Sequence, residues 1–291
     1  MGGAVRGRGA VGGAGRGYRL RRTDRRAAHG VHAMTLQRLR DLLPPLAFGL
    51  AVLAIWEAGV RLLHVPAIIL PPPSAIAVRL ATSVPTLAAD FRQTIQGVLA
   101  GYALGSLAGF VVAILIDRSQ FLQRGLMPIG NLVSALPIVG VAPIMVMWFG
   151  FDWQSKAAVV VVMTFFPMLV NTIAGLAGAG AMERDLMKTY GADYWQTLLA
   201  LRLPVAMPFI FNALKINTTL AMIGAIVAEF FGTPTVGMGF RISTEVGHLS
   251  IDMVWATIVV AAVTGSLFYA LVAGVERRVT FWHASYRAKE A

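Results

Sequence analysis

Long apolar stretches recur along the chain and are separated by shorter polar segments. A helix that crosses the hydrocarbon core of a bilayer needs about 20 consecutive apolar residues. Four stretches reach this length without any Asp, Glu, Lys or Arg, namely residues 94–116, 127–149, 157–176 and 254–275. Two more apolar stretches, at residues 45–63 and 204–231, contain charged residues. The pattern predicts six transmembrane helices.

The composition agrees with a membrane location. Of the 291 residues, 57% are hydrophobic and 13% are charged, and the mean hydropathy is +0.69. A soluble domain carries roughly 25% charged residues. The absence of cysteine excludes disulfide bonds, thiolate catalysis and cysteine-ligated metal sites. We therefore predict an all-α integral membrane protein with about six transmembrane helices.

Lysine and arginine are distributed unevenly between the two sides of the predicted bundle. Six spans place both chain termini on one side, and that side holds 19 of the 25 Lys and Arg residues. The opposite side holds four: Arg79, Arg92, Lys156 and Arg241. Cytoplasmic segments of membrane proteins carry the excess of positive charge. The sequence therefore predicts that both termini and the loop at residues 177–203 are cytoplasmic.

Residues 1–33 differ from the rest of the chain. They contain eight arginines and nine glycines against one acidic residue, Asp24, and they show no apolar periodicity. Such a segment buries too little surface to fold. We interpret it as a disordered basic tail or as a mispredicted start, because Met34 opens a typical membrane-protein N-terminus. Residues 34–291 are expected to form a single transmembrane domain, and no nucleic-acid partner is predicted.

Motifs of soluble enzymes are missing from the sequence. No lysine follows a glycine, so no P-loop for nucleotide phosphates is present. The five histidines are scattered, and there is neither an HExxH motif nor a G-x-S-x-G elbow. We predict no catalytic residue, no metal site and no cofactor.

Charged residues inside the apolar stretches are the first candidate functional residues. Glu57 and Arg61 are four residues apart, so they share a helix face and can pair; alternatively, their side chains extend to the membrane surface near the helix end. Lys215 lies 11 residues after Pro204, roughly 16 Å along a helix, and either faces a polar interior or reaches the headgroups. Glu229 is a functional candidate because buried carboxylates are costly in membranes. Alternatively, it fixes the following glycine-rich segment through backbone N–H groups.

Small residues in the second span are spaced for helix packing. Gly101, Gly105 and Gly109 form a GxxxGxxxG pattern, which lets a neighbouring helix approach closely. We expect this ridge to pack against another span rather than to bind a ligand.

The loop at residues 177–203 is long and amphipathic. Its sequence predicts a short helix, a break at Gly191 and a second helix that leads into the next span. The second helix carries an apolar stripe at helical spacing: Trp195, Leu198, Leu199 and Leu201. Such a stripe indicates docking into the groove of a partner, or packing on the membrane surface as the alternative.

The spacing within this loop resembles the EAA loop of bacterial ABC-importer permeases, whose pattern is EAA-x3-G-x9-I-x-LP. Gly191, Leu203 and Pro204 match in register, and Leu201 replaces isoleucine. The opening EAA is replaced by Asp185-Leu186-Met187, which keeps only the acidic residue. Other segments within residues 42–282 resemble the nitrate/sulfonate/taurine-type permease family: Trp148-Phe149-Gly150, Phe166-Pro167 with Asn171-Thr172, and Ala228-Glu229 with Gly237-Met238-Gly239. The AEFFGTPTVGMGFRIS segment is most similar to members associated with pyrimidine, thiamine-precursor or riboflavin uptake.

The resemblance implies a type I importer permease core, like that of methionine importers, in a bacterial inner membrane. Two permease copies, expected to be identical, would form the pathway. A separate ABC ATPase would bind on the cytoplasmic side, and a periplasmic or lipid-anchored binding protein would deliver a small solute. The implied coupling-loop residues are Asp185, Gly191, Ala192, Leu201, Leu203 and Pro204. The candidate residues of the translocation path or gate are Asn171, Lys215 and Glu229.

Three other functions are compatible with a helical membrane protein. An ion-coupled secondary transporter would use Glu229 as a proton relay, but a long amphipathic loop fits that class poorly. An intramembrane enzyme would need catalytic groups that converge, and none are predicted. A membrane scaffold without transport activity is the third alternative. The sequence does not determine the transported solute.

Overall fold

The computed structural model of the chain is all-helical in the part that it describes, with no β-strand there. The described residues are 43–119, 121–122, 125, 137–232 and 235–281. The chain divides into two compact units, Met1–His64 and Val65–Ala291. The basic tail at residues 1–33 lies outside the described residues, so its predicted disorder stays a prediction.

The described part of the first unit is dominated by one helix, α1 (Leu43–Leu62), which is apolar and long enough to cross a membrane. It corresponds to the predicted span at residues 45–63. The Arg61 guanidinium lies 2.5 Å from the Glu57 carboxylate, one helical turn away, as the spacing predicts.

Eight helices of the second unit have both ends among the described residues. They are α2 (Pro73–Thr82), α3 (Val84–Asp117), α4 (Ile138–Phe149), α5 (Trp153–Ala177), α6 (Ala181–Thr189), α7 (Tyr194–Phe231), α8 (Met238–Gly247) and α9 (Ile251–Val279). The long helices α3, α5, α7 and α9 are apolar enough to cross a membrane, and α2, α6 and α8 are short connecting helices.

Five of the six predicted spans are long apolar helices in the structure, which confirms the all-α membrane fold. The third predicted span, at residues 127–149, is described only in its second half, as α4. Its residues 127–136 lie outside the described residues.

Helix α3 begins ten residues before the predicted span at 94–116. The prediction followed the charge-free stretch, so it excluded the turn that contains Asp90. In the structure Asp90 is fully buried, and its carboxylate lies 2.8 Å from the Arg241 guanidinium of α8. A paired charge is tolerated in a helix of the bundle, and hydropathy alone does not detect the pairing.

The glycine ridge of α3 packs directly against α5. A Cβ atom added at Gly101 would lie 2.5 Å from the Val160 Cβ and 2.6 Å from the Ala157 carbonyl oxygen. At Gly105 an added Cβ would lie 2.8 Å from the Val161 carbonyl oxygen. The two backbones therefore approach more closely than any residue with a side chain allows, and this confirms the predicted packing role of the ridge.

Helix α7 completes the core against the α3–α5 pair. One buried cluster joins α3, α5, α7 and the start of α8 through Val98, Val160, Ala221, Met222, Ala225 and Met238. A second cluster lies nearer the 177–203 loop and contains Met168, Leu176, Leu198, Ala206, Ile210 and Ala213. The helices that carry the candidate site are therefore fixed to one another along most of their length.

We expect Gly101→Ala to destabilise the protein by about 1–3 kcal/mol, because the new methyl group meets backbone atoms that cannot rotate away. Gly274→Ala is the matched control, since a Cβ there meets nothing within 4 Å. The free energy of unfolding, measured by SDS titration in mixed micelles, reports both effects. Equal stability of the two variants would contradict the close α3–α5 contact.

Candidate functional site

The loop at residues 177–203 forms the predicted helix, break and second helix. Helix α6 ends at Thr189, and α7 begins at Tyr194 with Asp193 as its N-cap. The Gln196 backbone N–H donates to the Asp193 carboxylate at 2.7 Å, and the Asp193 N–H donates to the Gln196 side chain at 2.9 Å. This capping box fixes where the second helix starts.

Gly191 occupies the turn between these helices with a φ of +71°. Its N–H donates to the Lys188 carbonyl at 2.9 Å, and the Ala192 N–H donates to the Met187 carbonyl at 3.0 Å. A Cβ added at Gly191 would meet nothing within 4 Å. The glycine is therefore required by the left-handed backbone conformation and not by lack of space.

The tip of the loop exposes large apolar side chains. Helix α6 has no buried residue. Met182 is 85% exposed, Leu186 is 54% exposed and Trp195 is 50% exposed. Asp185 is also exposed and pairs only locally, with the Lys188 ammonium 3.1 Å away. The loop tip thus presents an apolar surface that no described residue of the chain covers.

The predicted apolar stripe of the second helix is divided between two directions. Leu198 is buried in the core cluster with Leu176 and Ala206, whereas Trp195 and Leu199 are exposed. Leu201 is half-buried. The stripe therefore both anchors the helix and contributes to the exposed surface, which spacing alone does not separate.

The second helix of the loop leads directly into the next span, as the sequence predicts, and the regular α-helix of that span begins at Leu203 with Pro204 in its first turn. Helix α7 is continuous from Tyr194 to Phe231, with a π-helical turn at Leu198–Arg202. The Leu203 N–H donates to the Leu198 carbonyl across this wide turn. Because Pro204 has no N–H to donate, the helix accommodates it directly after the widened turn.

Two charged residues at the base of the loop were not singled out from the sequence. The Arg202 guanidinium donates to both carboxylate oxygens of Asp117, at 2.7 and 2.6 Å. Arg202 also donates to the Leu176 carbonyl at 3.1 Å. The available signal was an arginine between apolar residues at a predicted membrane border, but its partner lies 85 positions earlier in the chain.

The three candidate residues of the translocation path lie in separate surroundings. Asn171 accepts from the Asn212 amide at 3.4 Å and donates to the Pro167 carbonyl at 2.8 Å. The Lys215 ammonium lies 2.7 Å from the Glu276 carboxylate, which links α7 to α9. The structure thus gives Lys215 a partner inside the bundle, and its role in transport stays a prediction.

Glu229 lies at the opposite end of α7 and is almost completely buried. Its carboxylate accepts from the Thr94 hydroxyl at 2.8 Å and from the Gly239 N–H at 2.7 Å. Nearby, Asp90 accepts from the Gly237 N–H at 2.9 Å, and its carboxylate raises the pKa of Arg241. Glu229 therefore does fix the following glycine-rich segment, as one of the two interpretations expects. Its action as a gate stays a prediction.

Among the described residues, no group of three or more His, Cys, Asp or Glu side chains is placed to hold a metal ion. Each polar side chain of the candidate path is bound to a neighbouring side chain or backbone group, and none of the three is bound to another. The arrangement combines an exposed apolar surface at the loop tip with a packed helical bundle.

Several known proteins are similar in sequence to this chain over most of its length. The chain is 30% identical to the riboflavin transport system permease protein of Chloroflexus aurantiacus over 236 residues, which cover 80% of this chain and 88% of the relative. It is 30% identical to the formylaminopyrimidine transport permease protein of Halalkalibacterium halodurans over 248 residues, which cover 85% and 98%. It is 26% identical to the taurine transport system permease protein of Escherichia coli over 239 residues, which cover 80% and 86%.

A family model described as the binding-protein-dependent transport system inner membrane component matches residues 101–281. This segment contains α5, α7 and α9 and the whole of loop 177–203. The match confirms the resemblance and the assignment as a non-catalytic membrane component. The chain therefore belongs to the family of binding-protein-dependent transport system inner membrane components, the permeases of ABC transporters.

Proposed function

We propose that this permease forms the translocation pathway of an ATP-driven importer and that its loop 177–203 docks a separate ABC ATPase. The observation that supports this proposal is the exposure of Met182, Leu186 and Trp195 on a loop whose two ends are anchored in the bundle. Exposed apolar side chains on a short helix are typical of a segment that binds in the groove of a partner.

The coupling-loop residues implied by the resemblance divide into two groups. Asp185, Gly191 and Ala192 lie at the tip, where the loop is exposed or half-buried. Leu201, Leu203 and Pro204 lie at the base, and Leu203 packs against the buried cluster that contains Leu198. This division suits a tip that contacts the ATPase and a base that passes its movement into the spans.

The proposed orientation places loop 177–203 and both termini in the cytoplasm of a bacterial cell. The charge distribution supports it, since 19 of the 25 Lys and Arg residues belong to that side. A periplasmic or lipid-anchored binding protein would then deliver the solute at the opposite end, where Glu229 and Asp90 hold the glycine-rich segment. A second, identical copy would complete the pathway.

The proposed cargo is a small solute of the nitrate/sulfonate/taurine class or of the pyrimidine/thiamine-precursor class. The relatives support this range, because their names specify riboflavin, formylaminopyrimidine, sulfonates, taurine and nitrate transport. Uptake of labelled formylaminopyrimidine and of labelled taurine by cells with and without the protein distinguishes the two classes.

We expect Leu186→Glu to abolish capture of the ATPase when the tagged protein is purified from native membranes. A charge at the centre of an apolar contact typically costs at least about 2 kcal/mol, or roughly a 30-fold weaker complex. Val246→Glu is the matched control, because Val246 is similarly exposed but lies on α8 at the opposite end. Loss of the ATPase from both variants, or from neither, would contradict docking at the loop tip.

Gly191→Leu is expected to leave membrane insertion intact while separating ATP hydrolysis from uptake. A leucine in the left-handed conformation costs about 1–2 kcal/mol, so the turn between the two loop helices would rearrange. Gly191→Asn is the control, since asparagine tolerates this conformation better. Hydrolysis by purified complexes and uptake of whichever labelled probe the wild-type protein imports are measured together. Wild-type uptake by the leucine variant would show that the turn has no part in coupling.

A further inference from the structure

The base of loop 177–203 is held by the bidentate ion pair of Arg202 with Asp117, which we call the fork and which joins three membrane helices. Arg202 of α7 binds both carboxylate oxygens of Asp117, the last residue of α3, and its Nε donates to the carbonyl of Leu176 near the end of α5. The side chains of Arg202 and Asp117 are only 15% and 12% exposed. A bidentate ion pair that is shielded from solvent to this degree fixes both the distance between the helices that carry it and their relative orientation.

Aromatic residues of the loop strengthen the same junction. The Tyr194 hydroxyl donates to the Asp117 carboxylate at 3.0 Å. The guanidinium of Arg118 lies 5.9 Å from the ring centroid of Tyr194 and 6.0 Å from that of Trp195, within the range of a cation–π contact. The first two turns of α7 are therefore attached to the end of α3 by two kinds of contact.

The fork lies at an irregular turn of α7. Arg202 is the last residue of the π-helical turn Leu198–Arg202. Single π-helical turns inside α-helices are rare and often occur at functional sites. The fork therefore attaches this turn of α7 directly to the end of α3. Helix α6 has no buried residue through which it could act on the spans directly.

We propose that the Arg202–Asp117 ion pair is the positioning contact through which loop 177–203 moves α3 when the ATPase changes state. This inference rests on the proposed function, because it requires an ATPase docked on the loop. In this mechanism the fork transmits the displacement of the loop, and Asp117 receives it at the end of a 34-residue helix. The apolar contacts of Leu198 hold the loop in place but lack the directionality of the fork.

The test uses the purified permease–ATPase complex and a reporter on α3. The chain contains no cysteine, so Leu115→Cys introduces one thiol, on an exposed position half a turn before Asp117. A bimane fluorophore is attached there, and the signal of the labelled complex without this cysteine is subtracted. The change in bimane emission between the nucleotide-free and the ATP–vanadate state measures the response of α3.

The decisive variant removes both charges at once, as Arg202→Met with Asp117→Asn. Either single substitution leaves one charge nearly buried without its partner and can impair folding, whereas the double variant leaves none. We expect the double variant to keep its bound ATPase and to hydrolyse ATP within about twofold of wild type, while the bimane response falls at least about fivefold, the scale of a typical coupling free energy.

The matched control removes an ion pair that lies away from the loop. Arg79 of α2 and Asp252 of α9 form a pair 2.8 Å apart. The double variant Arg79→Met with Asp252→Asn is expected to keep both hydrolysis and the bimane response, because this pair does not connect α3 to the loop.

The outcomes separate the inference from the proposed function. A wild-type bimane response in the Arg202→Met, Asp117→Asn variant would overturn the inference, and so would a wild-type complex that hydrolyses ATP without any response of α3. A purification in which no ATPase accompanies the wild-type chain would instead overturn the proposed function. A purely structural role of the pair predicts a normal response once both charges are gone.

Discussion

The close approach of α3 to α5 is the contact on which the rest of the bundle depends. Lipid provides no hydrophobic drive between helices, so association relies on packing and on hydrogen bonds between buried groups. The absence of side chains at Gly101 and Gly105 brings the two backbones together. The Asn217 amide of α7 then reaches both the Ser106 hydroxyl, at 3.0 Å, and the Thr164 carbonyl, at 2.8 Å. A wider gap between α3 and α5 would leave this buried amide without partners.

Helix α3 is held near both ends by arginines, one within α7 and one after it in the sequence. Arg202, in the first turns of α7, pairs with Asp117, and Arg241, ten residues after the end of α7, pairs with Asp90. Each pair is shielded from solvent and is charge-balanced, which is the condition for keeping ionised groups inside a membrane protein. The same two acidic residues therefore define where α3 meets the loop and where it meets the glycine-rich segment.

A contrast between an exposed tip and an anchored base explains why loop 177–203 suits a docking role. The tip exposes Met182, Leu186 and Trp195, while the base buries Leu198 and fixes Arg202. If the base of the loop were mobile, a movement of the partner would displace the base and not the membrane helices.

The sequence by itself determined the helical membrane fold, five of the six spans, the Gly191 turn and the family, because hydropathy, glycine conformation and motif spacing are local properties. It did not identify Asp117 and Arg202, and it left open whether Lys215 faces a polar interior or the headgroups. The tertiary structure decided these points, since Lys215 meets Glu276 and Arg202 meets Asp117 only after distant helices pack. Charged side chains in a membrane are stabilised by specific partners, and partners far apart in the chain have no local pattern that reveals them.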